Sequence, residues 1–184
     1  VAYTPRLVLR DAWHLAHYLN LCQIEIPVQD VNRLDPRVSN ASSYSHAYCT
    51  AMAVAGLPLF FQETHLLEGS ARDQTRTVIH AWREHRAAMA RGYVFPIGEE
   101  PCDAAWTGFQ IHDPESDSGY VLLLRERYAE HDRAEIPLHF VQGRRLAWRD
   151  AMTGEPWTSS TRGAAPFAIP DAPGFRWLRY EALS

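Results

Sequence analysis

The chain changes architecture in its middle, and this limits its folds more than any other feature. Up to about Arg91 the sequence alternates helical and strand patterns. From Tyr93 onward it breaks into short β-patterned segments separated by Gly and Pro turns. An α/β half followed by an all-β half is a two-module pattern. The α/β half holds only two strand segments, residues 21–27 and 57–61. Two strands are too few for a closed or free-standing parallel sheet. The chain is therefore expected to be the tail of a larger enzyme and to lack that enzyme's chemistry.

Local signals fill in this outline. Thr4-Pro5 reads as an N-cap with a first-turn proline, opening a helix to about residue 19. Leu7, Val8, Leu15 and Leu19 are its expected apolar face. Ser42 or Ser43 is expected to cap a second helix over residues 44–55, which is so apolar that it should be buried on most sides. Gly56 fits the position just past that helix, and Pro58 follows. Residues 57–61 are apolar on both faces, the mark of a parallel strand covered by helices. Ser70 and Asp73 resemble a capping box for a third helix running to about Arg91, with Val78, Ile79, Trp82 and Met89 as its stripe. Strands are then expected at residues 93–97, 107–112, 120–125, 136–141, 145–148, 167–169 and 175–181. Short strands at this spacing suggest an antiparallel sandwich. No flexible linker separates the halves, so they should pack rigidly.

Composition excludes several functions. Eighteen basic against 22 acidic residues give a net charge of −4. That offers no electrostatic case for nucleic acid or an anionic membrane. Every basic residue other than histidine is Arg, so no lysine Schiff-base or lysine general-base chemistry is available. Cys22, Cys49 and Cys102 are too sparse for a disulfide framework and form no CxxC pair, so they read as reduced thiols, with Cys49 in the core. The longest nearly pure apolar run, residues 51–61, is far too short to span a bilayer. No signal peptide is legible, and the expected compartment is cytoplasmic, although the chain begins at Val1 rather than Met. His14/His17 and His80/His85 lack the HExxH pattern, and there is no phosphate loop or serine elbow, so no metal or cofactor is expected.

Candidate functional residues cluster at two strand ends. The long polar loop of residues 28–43 carries Asp30, Asn32 and Arg33, and Glu63 follows the second strand with Gln62 and His65. Ligands of parallel α/β folds meet the C-terminal ends of strands. Carboxylate, amide and guanidinium groups bind sugar hydroxyls or an acidic group; they equally solvate loops and cap helices, and both readings stand. Asp30 and Glu63 also read as a possible acid/base pair, but nothing in the sequence fixes their separation. Tyr44, His46 and Tyr48 read as pocket lining or as core. Trp106, Trp148, Trp157 and Trp177 read as sugar-stacking platforms or as core. Asn40-Ala41-Ser42 is a glycosylation sequon, relevant only on a eukaryotic secretory route.

Four stretches carry a family resemblance: residues 82–86 (WREHR), 95–101 (FPIGEEP), 106–110 (WTGFQ) and 119–126 (GYVLLLRE). They resemble the C-terminal region of α-galactosidase-like (melibiase-type) glycoside hydrolases. The resemblance implies that residues 1–91 form the last strand–helix units of a (β/α)8 barrel and residues 92–184 an antiparallel β-sandwich. It implies a parent that is a retaining enzyme with two catalytic carboxylates on earlier strands. No catalytic residue then falls in this chain, which should be inactive alone. Asp30, Asn32, Arg33 and Glu63 are left as substrate-binding groups at the barrel mouth. Expected partners are a carbohydrate substrate and, through the exposed α/β surface, further copies of the chain. The alternative reading is a non-catalytic carbohydrate-binding or oligomerising module.

Overall fold

The computed structural model describes residues 3–157 and 164–183. The first half runs α1 (Pro5–Leu15), β1 (Glu25–Val28), α2 (His46–Ala53), β2 (Leu57–Phe60) and α3 (Gly69–Met89). β1 and β2 pair in parallel, with Val28 opposite Phe60. The second half is strand only: β3 (Tyr93–Gly98), β4 (Trp106–Asp113), β5 (Ser118–Arg125), β6 (Arg133–Pro137), β7 (Leu146–Asp150), β8 (Pro156–Trp157), β9 (Ala164–Ala168) and β10 (Gly174–Ala182). Six of these form one antiparallel sheet in the order β3-β4-β5-β10-β7-β8, and β6 pairs with β9 in a second.

The large sheet is buried on both faces, which explains its sequence. Along β5, Tyr120, Leu122 and Leu124 pack into a core shared with the helical half, beside Leu9, Tyr48, Met52 and Val78. Val121 and Leu123 point the other way, into a core with Ile136, Trp148, Phe167 and Tyr180. The same alternation separates Phe109 and Ile111 from Trp106 on β4, and Trp177 from Leu178 on β10. Period-two alternation serving two cores reads as an unbroken apolar run. Each fully buried Leu or Phe contributes about 1.5–3 kcal/mol. One sheet therefore binds both halves. Trp106, Trp148 and Trp177 are buried in these cores and Trp157 is half-buried.

The helix boundaries depart from expectation at their caps. Ser45, not Ser42 or Ser43, caps α2: its hydroxyl accepts the Tyr48 N–H at 3.0 Å. Residues Ala41–Ser43 form a separate 3₁₀ turn. Ser70 and Asp73 make no capping box, because α3 already starts at Gly69 and Glu68 precedes it without a side-chain bond. Residues Leu21–Gln23 are a 3₁₀ turn, so the first strand starts only at Glu25. Gly56 is required by close approach: a Cβ there would lie 2.5 Å from the Ile24 carbonyl oxygen. At the join, a Cβ on Gly92 would meet Ile111 at 2.8 Å, so the turn from α3 into β3 packs closely on β4.

The first helix turns a different face inward. Pro5, Leu9, Ala12 and Ala16 are buried, whereas Leu7 and Val8 are half-buried and Leu15 and Leu19 are exposed. Small residues at the inner face let α1 approach closely, and most of its larger aliphatics are left outside. The outer edges of β1 and β2 have no strand partner among the described residues. No described helix is long and apolar enough to cross a membrane.

Candidate functional site

The C-terminal ends of β1 and β2 bring the expected residues together in two pairs. Asp30 leaves β1 in extended conformation and starts the 3₁₀ turn Val31–Arg33. Its Oδ1 accepts the Asn32 backbone N–H at 3.0 Å. The same oxygen accepts His46 Nε2–H at 3.0 Å, from the first residue of α2. Both side chains are largely covered, at 14% and 7% exposure. One carboxylate oxygen is thus locked by two donors. Oδ2 makes no hydrogen bond among the described residues.

Arg33 and Glu63 form the second pair, with Arg33 Nη1 3.7 Å from Glu63 Oε2. This contact crosses from the loop after β1 to the loop after β2. Both side chains are more than half exposed, so the pair adds little stability and opens readily to a ligand. Gln62 follows β2 on the same side of the strand pair. Continuing the β1–β2 register two residues past Val28 and Phe60 sets Gln62 beside Asp30, and the Phe61 N–H still bonds the Val28 carbonyl at 3.0 Å. Gln62 Oε1 is buried without a partner among the described residues. The Asn32 and His65 side chains are exposed.

His46 belongs to this site because of its bond to Asp30. In sequence it lies 16 residues away, and the available signal is its place at the start of the helix that follows the loop. Tyr44 and Tyr48 point elsewhere. Their rings sit 5.3 Å apart in the core, and the Tyr44 hydroxyl donates to Asp103 at 2.8 Å. Burial first, and the Asp103 bond second, push the Tyr44 phenol well above its ordinary range. Cys49, buried behind it, is pushed up to about 12 by burial and is an inert core thiol. The three cysteines are free.

The comparisons with known proteins bear on this geometry. The fold matches the galactosidase domain of the α-galactosidase–sucrose kinase AgaSK with a TM-score of 0.71 at 14% identity, over 97% of this chain and 25% of that one. It matches the GH36 α-galactosidase AgaA from Geobacillus stearothermophilus, in complex with raffinose, with a TM-score of 0.66 at 11% identity, over 97% and 24%. No family model matches the chain, and no curated protein matches it in sequence. At these identities the likeness is one of fold. The chain spans about a quarter of the α-galactosidase structures it matches.

At the strand-end site, as elsewhere among the described residues, no three His, Cys, Asp or Glu gather to hold an ion. What it offers is hydrogen bonding. A half-locked carboxylate, an unpaired amide oxygen and a labile guanidinium–carboxylate pair share one rim. A large cleft lies elsewhere among the described residues, between α1 and the sandwich.

Proposed function

We propose that this chain is the C-terminal part of a glycoside hydrolase of α-galactosidase type. In this reading, α1 to α3 are the closing strand–helix units of a (β/α)8 barrel, and β3 to β10 are the sandwich that follows it. The observation that carries it is the match over 97% of this chain to one quarter of an α-galactosidase chain. The isolated parallel β1–β2 pair supports it, because two open edges suit insertion between further strands. The exposed Leu15 and Leu19 on the α1 side support it in the same way.

The catalytic carboxylates then lie on strands outside these 184 residues, and the chain by itself is inactive. Asp30, Asn32, Arg33 and Glu63 serve at the barrel mouth as binding groups for sugar hydroxyls. Asp30 presents its free oxygen and His46 holds its orientation. In isolation the uncovered α/β surface drives self-association.

The test is hydrolysis of 4-nitrophenyl α-galactoside. The protein made from the complete reading frame should cleave it with retention of configuration, and the 184 residues alone should not. Arg33→Ala and Glu63→Ala in the longer protein should raise KM more than they lower kcat. Turnover by the 184 residues, abolished by Asp30→Asn or Glu63→Gln, would overturn the proposal.

A further inference from the structure

A cleft of about 730 Å³ opens between α1 and the sandwich, away from the strand-end loops. Its volume is that of a small-molecule site. Trp13 from α1 and Trp106 from β4 stand on its walls. Both indoles are fixed by their N–H groups: Trp13 Nε1 donates to the Ile97 carbonyl at 3.2 Å, and Trp106 Nε1 to the His131 carbonyl at 3.0 Å. Their polar edges are spent, so what they present to the cleft is apolar ring. Trp13 is half-buried and offers the larger face; Trp106 is mostly covered and offers a narrow strip.

The polar lining is unusual in being unpaired. Glu99, Glu130, Glu135 and Arg133 all border the cleft and all are exposed. None of them forms an ion pair among the described residues, although the chain makes many such pairs elsewhere. Three carboxylates face one guanidinium, with His17, His131 and His139 on the same lining; while those imidazoles are uncharged the balance is negative and disfavours anions. An apolar ligand would cover these charges without satisfying them, at a cost in desolvation.

We propose that this cleft is a non-catalytic binding site for a neutral oligosaccharide. The C–H face of a pyranose packs on Trp13, and adjacent hydroxyls donate to the carboxylates and accept from Arg133. Rigid indoles and a preformed cleft lower the ordering cost of binding. The site is separate from the strand-end residues and stands whether or not the hydrolase reading holds.

The experiment is calorimetric titration of the 184-residue chain with raffinose, galactose, maltohexaose and cellohexaose, and with spermidine as a cationic control. At least one sugar should bind saturably with a Kd of about 1 mM or tighter. Trp13→Ala and Glu135→Gln should each weaken it about tenfold or more, while His80→Ala, exposed on α3 and outside both sites, leaves it unchanged. Glu135 is an exposed strand residue without a partner, so its conservative variant keeps the fold and isolates the contact. No saturable sugar binding, binding of spermidine alone, or sugar binding kept at full strength in both cleft variants would overturn the proposal.

Discussion

The Arg127 guanidinium lies 2.9 Å from the Asp103 carboxylate, and through that carboxylate three parts of the chain meet. Asp103 also accepts the Tyr44 hydroxyl from the entry to α2 and sits 3.6 Å from Arg6 of α1. It does so from a left-handed backbone position, φ 77°, between β3 and β4. Burial alone would raise the Asp103 carboxyl; the Arg127 and Tyr44 bonds outweigh it and hold the group below its ordinary range. A depressed carboxylate stabilises the fold fully above its unfolded pKa, and the contribution is lost as pH falls through the folded value. Arg127→Ala should cost about 2 kcal/mol, the size of one charge-assisted hydrogen bond, because Asp103 keeps the Tyr44 hydroxyl and Arg6. Urea unfolding at several pH values should show this cost near neutrality and its disappearance in acid.

Glu126 should behave in the opposite sense. It is 1% exposed, and burial lifts its carboxyl above the ordinary range, partly offset by the Ala105 and Cys102 N–H groups bonded to Oε2. A raised carboxyl favours the neutral acid in the fold, so its stabilising contribution is full below the unfolded pKa and fades as pH rises through the folded value. Glu126→Gln keeps an acceptor for both N–H groups and removes the charge. It should be at least as stable as the parent near neutral pH, and the loss of stability on raising pH above the unfolded glutamate pKa should be smaller. A large loss of stability in thermal melts would contradict this.

Because the six-stranded sheet carries both cores, the two halves should unfold together. Leu122→Ala, facing the helical half, should cost about 3 kcal/mol. Leu123→Ala, facing the second sheet, should cost a similar amount. Both should lower one common transition, seen alike by tryptophan fluorescence and far-ultraviolet circular dichroism. Two separable transitions would show that the halves are independent.

The sequence made much of this legible, and the misses have physical causes. Strands β3, β4, β5 and β10 were readable because long apolar runs between turn-formers admit few alternatives. The two-residue β8 was not expected, since Pro156–Trp157 is too short to carry a period. The caps of α2 and α3 were misplaced because several hydroxyls compete near each start, and backbone geometry chooses among them. The inward face of α1 was misread because Ala12 and Ala16 carry weak hydrophobic signals, yet small size is what close packing needs. At the site, Asp30 and Glu63 were visible as polar residues at strand ends. The His46–Asp30 bond depends on how α2 folds back over the loop, which no spacing reveals.

Open strand edges and exposed Leu15, Leu19 and Phe61 lead to an expectation for the chain in solution. Light scattering should find dimers or larger assemblies. Leu19→Glu combined with Phe61→Glu should shift them toward monomer without lowering the melting temperature by more than about 3 °C, since both residues are exposed. A monomeric parent chain would contradict this.

The most direct test of the central claim is to read the coding DNA upstream of the Val1 codon. The expected result is an open frame that continues through further strand–helix units and carries the two catalytic carboxylates of a retaining glycosidase. A start codon immediately upstream would contradict it, since the parallel β1–β2 pair would then have no barrel to complete.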